Sequence, residues 1–253
     1  MIILKIVIIL YLMHLLATSE HKGFIYPKFI TSVKDLGAHF KVAKITNSLY
    51  FQPIDNKWRK KKCKSLGLKF KESILYDTNI ERRKLTLSTF PYDLYKVEKL
   101  NSLYKSLAYV ICGNEKLYAK IQRKVFVTIK NSKKFKKYMN GKLDLYLNGL
   151  GNVSKKDYTK YPNVYVELLA VALYLDVNIF LFSYKISSWI LFDKNWPNMN
   201  KLNVKNEKSI YLYTDEKVGI IRNITLPNKP KFEKEKSQLY KRNKTQNINY
   251  YVY

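Results

Sequence analysis

The chain predicts an α+β domain in which helices pack on a small, mostly antiparallel sheet. Apolar residues recur at helical spacing between residues 103 and 129, and a run at 164–175 is apolar nearly all round. From residue 177 onward, short apolar segments alternate with turn-forming residues. Helices first and strands later is the order that such domains show.

Taken in chain order, residues 1–5 give a short positive start, and 6–16 are apolar apart from Tyr11 and His14. Small residues follow at 17–19. This pattern predicts a cleavable signal peptide over residues 1–19 and a protein that is secreted or enters the secretory pathway. The apolar run is shorter than the roughly 20 residues that span a bilayer, so no stable span is expected after cleavage; an uncleaved membrane anchor is the alternative. Residues 20–55 show no clean period, and their structure is left open. The stretch 58–64 (WRKKKCK) is a compact basic run, either a solvated helix face or linker, or a ligand patch. Residues 20–87 together read as an N-terminal basic extension.

From residue 88 the signals sharpen. Asn101 or Ser102 can cap a helix carrying Leu103, Leu107, Val110 and Ile111, with Gly113 as its stop. A second helix is expected over 115–130, where Leu117, Ile121, Val125 and Ile129 recur every four residues. A short third helix is expected over 133–139, and a buried central helix over 164–175, interrupted only by Glu167. Strands are predicted over 177–182, 188–192, 209–213 and 218–224, the second as hairpin partner of the first. The tail 227–253 is rich in Lys, Asn and Glu and is expected to be flexible.

Composition sets limits on function. The net charge of +28 invites a polyanion-binding reading, but only six of the 47 basic residues are arginine. Guanidinium forks are preferred for bidentate phosphate recognition, whereas lysine is a hydrated point charge. A lysine-rich polyanion- or nucleic-acid-binding protein therefore remains an alternative rather than the leading expectation, with nonspecific polyanion contact expected in any case. No CxxC or HExxH occurs, so neither a metal site nor a cofactor is expected. Cys63 and Cys112 are the only cysteines. Their pairing is left open, and Cys112 is expected to pack as a small hydrophobe. Asn152, Asn223 and Asn243 begin candidate glycosylation triplets.

Residues 101–109 read NSLYKSLAY. This segment resembles the nucleophile motif of the OTU (ovarian-tumour-type) cysteine proteases, approximately Asp-Gly-Asn-Cys-Leu/Phe-Phe-Arg-Ala/Ser-Leu. The likeness continues through Gly113-Asn114-Glu115, Ile121-Gln122-Arg123, the run 135–139, the Glu167-led helix and the strands at 178–182 and 209–213. It covers about residues 88–225, within a domain expected over 88–226. It implies a papain-like cysteine proteinase fold that cleaves ubiquitin from substrates, with ubiquitin or a ubiquitin-like protein as partner.

The transferred roles then break down. The family's cysteine falls at Ser102, its preceding aspartate at Lys99 and its glycine at Leu100; its histidine falls at Lys217 or Val218. The three histidines are His14, His21 and His39, all before the matched segment. A serine hydroxyl needs a positioned base to become a nucleophile. Lys99 or Lys105 could serve only if desolvated enough to be neutral, so Ser102 is expected to act as a helix cap. No catalytic set is intact, Lys99, Ser102 and Val218 being degenerate positions. A retained partner surface is expected around Leu100, Asn101, Ser102, Tyr104 and Asn163. The expectation is a pseudoenzyme that binds without cleaving; the alternative is an active OTU-type deubiquitinase or a Ser102-based hydrolase. Oligomeric state is left open.

Overall fold

The computed structural model describes residues 23–34, 37–73, 75–76, 82–98, 100–139, 141–153, 164–198, 207–215 and 217–225. The segments expected as signal peptide and tail, together with Lys99 and Asn163, lie outside them. Strands β1 (Phe24–Lys34) and β2 (Gly37–Lys44) form a long antiparallel hairpin. After β3 (Leu49–Phe51) comes helix α1 (Asn56–Ser65), then β4 (Arg83–Leu85) and β5 (Pro91–Tyr95). Helices α2 (Ser102–Cys112), α3 (Tyr118–Asn131), α4 (Lys133–Tyr138), α5 (Leu143–Val153) and α6 (Tyr165–Leu175) follow. The described chain ends with β6 (Asn178–Ser183), β7 (Ser188–Phe192), β8 (Ser209–Thr214) and β9 (Val218–Ile224).

Seven strands form one sheet in the order β2-β1-β7-β6-β8-β9-β5. It is mostly antiparallel, as the sequence predicts, but β1–β7 and β6–β8 pair in parallel. It is larger than the four strands expected because residues 24–44 add two strands at one edge and β5 adds a third at the other. The segment expected as an N-terminal extension therefore shares the sheet and the core of residues 88–226. Its lack of a simple period has a local cause: two irregularities in the β1–β2 register interrupt the alternation of faces.

Period-two alternation sorts the central strands onto two cores. Ile179, Leu181, Ile190, Phe192, Ile210 and Leu212 face the helices. Phe180, Phe182, Trp189, Leu191, Tyr211 and Tyr213 face an aromatic layer closed by Leu49, Phe51 and Leu85. Those last three residues come from the antiparallel β3–β4 ribbon. The Tyr211 hydroxyl secures that ribbon, donating to Tyr50 O at 2.7 Å while accepting from Gln52 N at 2.9 Å. With both faces covered, β6 and β7 are buried at every position. No helix among the described residues is long and apolar enough to cross a membrane.

The basic run 58–64 forms most of α1. Asp55 caps it by accepting from Trp58 N at 2.7 Å. Arg59 and Cys63, one turn apart, turn into the core, while Lys57, Lys60, Lys61 and Lys64 are exposed. Cys63 is bonded to Cys112 at the last residue of α2. Cys112 is thus buried as half of a disulfide rather than as a free thiol. Directly after it, Gly113 ends α2 with φ 69°, and a Cβ there would lie 2.0 Å from Lys71 O. Only glycine fits both the left-handed backbone and that approach.

Candidate functional site

Helix α2 presents its N-terminal turn to the start of β9, and two serines one turn apart bracket a single residue of that strand. Val218 N donates to Ser102 Oγ at 3.0 Å, and Ser106 Oγ donates to Val218 O at 3.1 Å, both within the protein interior. Between them Leu103 turns into the helix-side core and anchors the same end of the helix. The structure thus brings together Ser102 and Val218, two of the three positions named from the sequence and separated by more than a hundred residues.

The Ser102 hydroxyl does not cap α2, contrary to expectation. Asn101 is the N-cap residue, held at φ 56° with no side-chain cap bond, and Ser102 gives its oxygen to the strand instead. Ser102 is 8% exposed and Tyr104 fully buried, its ring edge-on to Phe126. Tyr104 therefore presents no surface to a partner, which corrects its expected place in a contact patch. Leu100, 55% exposed, does stand at the surface beside Asn101.

Neither described lysine near the seam is placed as a base. Lys217 Nζ donates to Val97 O at 2.7 Å, and Lys105 Nζ is paired with Glu98. His39 is the one histidine among the described residues, and it lies on β2. Five strand intervals separate β2 from β9 in the sheet order. At about 4.8 Å per interval, that places His39 roughly 24 Å from the Ser102–Val218 seam. The side chain at position 218 is itself aliphatic and buried. The seam therefore joins a hydroxyl to a backbone amide, and Lys105 and Lys217 are each engaged elsewhere.

A second buried group lies on α6. Glu167 is 1% exposed, and the Tyr146 hydroxyl donates to its Oε2 at 2.6 Å. Burial pushes its pKa up to about 7, against the opposing pull of that hydrogen bond and of its own backbone amide. The unfolded chain releases this proton near the ordinary value of 4.5. Its contribution to stability is therefore fully present below about pH 4.5 and is lost as pH rises toward 7. The loss is on the order of 3 kcal/mol. Melting of wild type and Glu167→Gln at pH 5 and pH 8 checks this: the wild type should lose more stability over that interval than the variant. Equal losses would remove Glu167 as the cause.

Sequence reasoning assigns no such roles to Ser106, Arg59 or Tyr146. Ser106 is findable, since it lies one helical turn from Ser102 on the same face. The triplet beginning at Asn223 starts within β9, where Asn223 Oδ1 accepts from Arg83 at 3.1 Å and Thr225 Oγ1 accepts from Phe90 N at 3.0 Å.

The class defined by this geometry is an α+β protein whose helix α2 is stitched by serines to an inner strand of the sheet. No protein-family model and no curated protein matches the chain. Among solved structures it is similar to the viral OTU domain protease from Dera Ghazi Khan virus, at 12% identity and a TM-score of 0.38, over 52% of this chain and 83% of that one. It is also similar to the viral OTU domain protease from Farallon virus, at 9% identity and a TM-score of 0.35, over 56% and 90%. The OTU domain of OTUD1 matches at 15% identity and a TM-score of 0.35, over 55% and 86%. The α+β architecture itself stands on the strand pairing and helix packing described above.

Proposed function

We propose that this chain is an OTU-like protein that binds a protein partner without cleaving it. The observation that carries the reading is the seam itself: the hydroxyl at the position of the family's nucleophile accepts the amide hydrogen of the residue at the position of its histidine. A serine whose oxygen is already hydrogen-bonded in the interior, with no imidazole among the described residues around it, lacks the base that nucleophilic catalysis requires. Losing nucleophile or base alone typically removes several powers of ten in rate. The partner implied by the resemblance is ubiquitin or a ubiquitin-like protein.

Passage through the secretory pathway belongs to the same proposal. The buried Cys63–Cys112 disulfide supports it, because such bonds persist in oxidising compartments. A ubiquitin-like partner and a secretory route are compatible in a protein delivered into another cell.

A fluorogenic ubiquitin C-terminal reporter tests the catalytic half. Wild type, Ser102→Ala and Ser102→Cys should all match buffer, the last because a thiol without a base is still unassisted. Turnover by wild type that disappears in Ser102→Ala would overturn the reading. Calorimetric titration with ubiquitin tests the other half: saturable binding supports that partner, and no heat of binding removes it.

A further inference from the structure

Away from the Ser102–Val218 seam, a groove of about 690 Å³ runs between α3 and the residues that follow α1. Its apolar lining includes Leu66, Leu68, Val127 and Tyr174. Val127 is 51% exposed and Tyr174 36%. The cationic lining comes from Lys120, Arg123 and Lys124, and no carboxylate among the described residues lines it. Positions 120, 123, 124, 127 and 128 fall on one face of α3, so the groove follows the helix axis for about 13 Å.

We propose that this groove docks an acidic, amphipathic helical segment of a partner protein. Charge complementarity selects that occupant. The chain's own tail, 227–253, carries more lysine and arginine than acid, and a second copy brings a net charge of +28; both are repelled by the cationic wall. A polyanion such as nucleic acid or a sulfated glycan would engage the cations but leave the apolar floor unused. An amphipathic helix uses both, laying apolar residues at i, i+3, i+4 and i+7 into the groove with acids along its flanks. The inference is independent of the catalytic reading, since the groove shares no residue with the seam.

The test titrates the full chain with a labelled helix-forming peptide carrying leucines at i, i+3, i+4 and i+7 and glutamates elsewhere. A scrambled peptide of the same composition and heparin are run beside it. The patterned peptide should bind at least about tenfold more tightly than the scrambled one, a difference of about 1.4 kcal/mol. Val127→Asp and Arg123→Glu should each weaken it by about tenfold or more, with Val127→Asp leaving heparin affinity no lower by that factor. Tyr174→Ser repeats the test from α6, and melting curves confirm that each variant is folded. Equal binding of the two peptides, binding of heparin alone, or a patterned-peptide affinity unmoved by both Val127→Asp and Tyr174→Ser overturns the proposal.

Discussion

Replacing Arg59 by methionine should destabilise the fold by about 3 kcal/mol or more, because an interior acceptor left without its donor costs on the order of 1–3 kcal/mol. Arg59 is fully buried, and its hydrogen bonds run to neutral acceptors. The guanidinium donates to Val110 O at 2.6 Å and Tyr109 O at 3.1 Å, carbonyls in the last turn of α2. It also reaches Asn56 Oδ1 at 2.7 Å, Ser73 O at 2.8 Å and Ser73 Oγ at 2.8 Å. The negative end of the helix dipole thus takes the place of a counter-ion, and Phe70 lies under the guanidinium at 5.4 Å. Methionine keeps much of the volume but takes the donor from the buried Val110 carbonyl and from Ser73, a substantial penalty, while Tyr109 O still accepts from Gly113 N. For a chain of this size the melting temperature should fall by roughly 10 °C or more. Arg59→Lys should fall between, because one ammonium cannot satisfy a fork of acceptors. A methionine variant melting within about 2 °C of wild type, a shift worth under about 1 kcal/mol, would show that the network is not a principal support.

The seam and the Arg59 network differ in how far the sequence exposes them. Strands β6 to β9 are legible because their alternation is continuous and their partners are near in the chain. Helices α2, α3 and α6 are legible from their apolar spacing. The β1–β2 hairpin is not: its register irregularities break the period, and its neighbour β7 lies more than a hundred residues away. Helix α5 is equally hidden, because its contact with the buried acid, Tyr146 on Glu167, joins two elements that no local pattern relates.

At the site itself, the absence of a histidine from the matched segment is readable directly from the letters. How position 218 meets Ser102 is not. That Val218 presents its backbone amide to Ser102 and its carbonyl to Ser106 depends on how β9 lies against α2. The basic run 58–64 misleads for a related reason. Charge counting treats Arg59 as one more surface cation, whereas its spacing from Cys63 puts both on the buried face of α1. One arginine among lysines is the available signal, since only a guanidinium supplies enough donors for so many interior acceptors.

Removing the disulfide should lower stability by about 4 kcal/mol. In the chain-entropy account, the stabilisation grows with the length of chain closed in the unfolded state. Cys63 and Cys112 are 49 residues apart, between the short and long loops for which about 3 and about 4.7 kcal/mol are expected. The bond and the Arg59 network join the same two elements, α1 and the C-terminal end of α2. Their losses should therefore not add: once the disulfide is gone, the remaining attachment of α1 carries a larger share of the interface. The measurement is a cycle of melting curves on wild type, the double variant Cys63→Ala with Cys112→Ala, Arg59→Met, and all three substitutions together. The cysteine variant should melt roughly 10 °C lower than wild type, and the combined variant should depart from the sum of its parts. Strict additivity would mean that α1 is held independently at its two attachments, and a cysteine variant as stable as wild type would mean that the bond closes a loop already ordered before folding is complete.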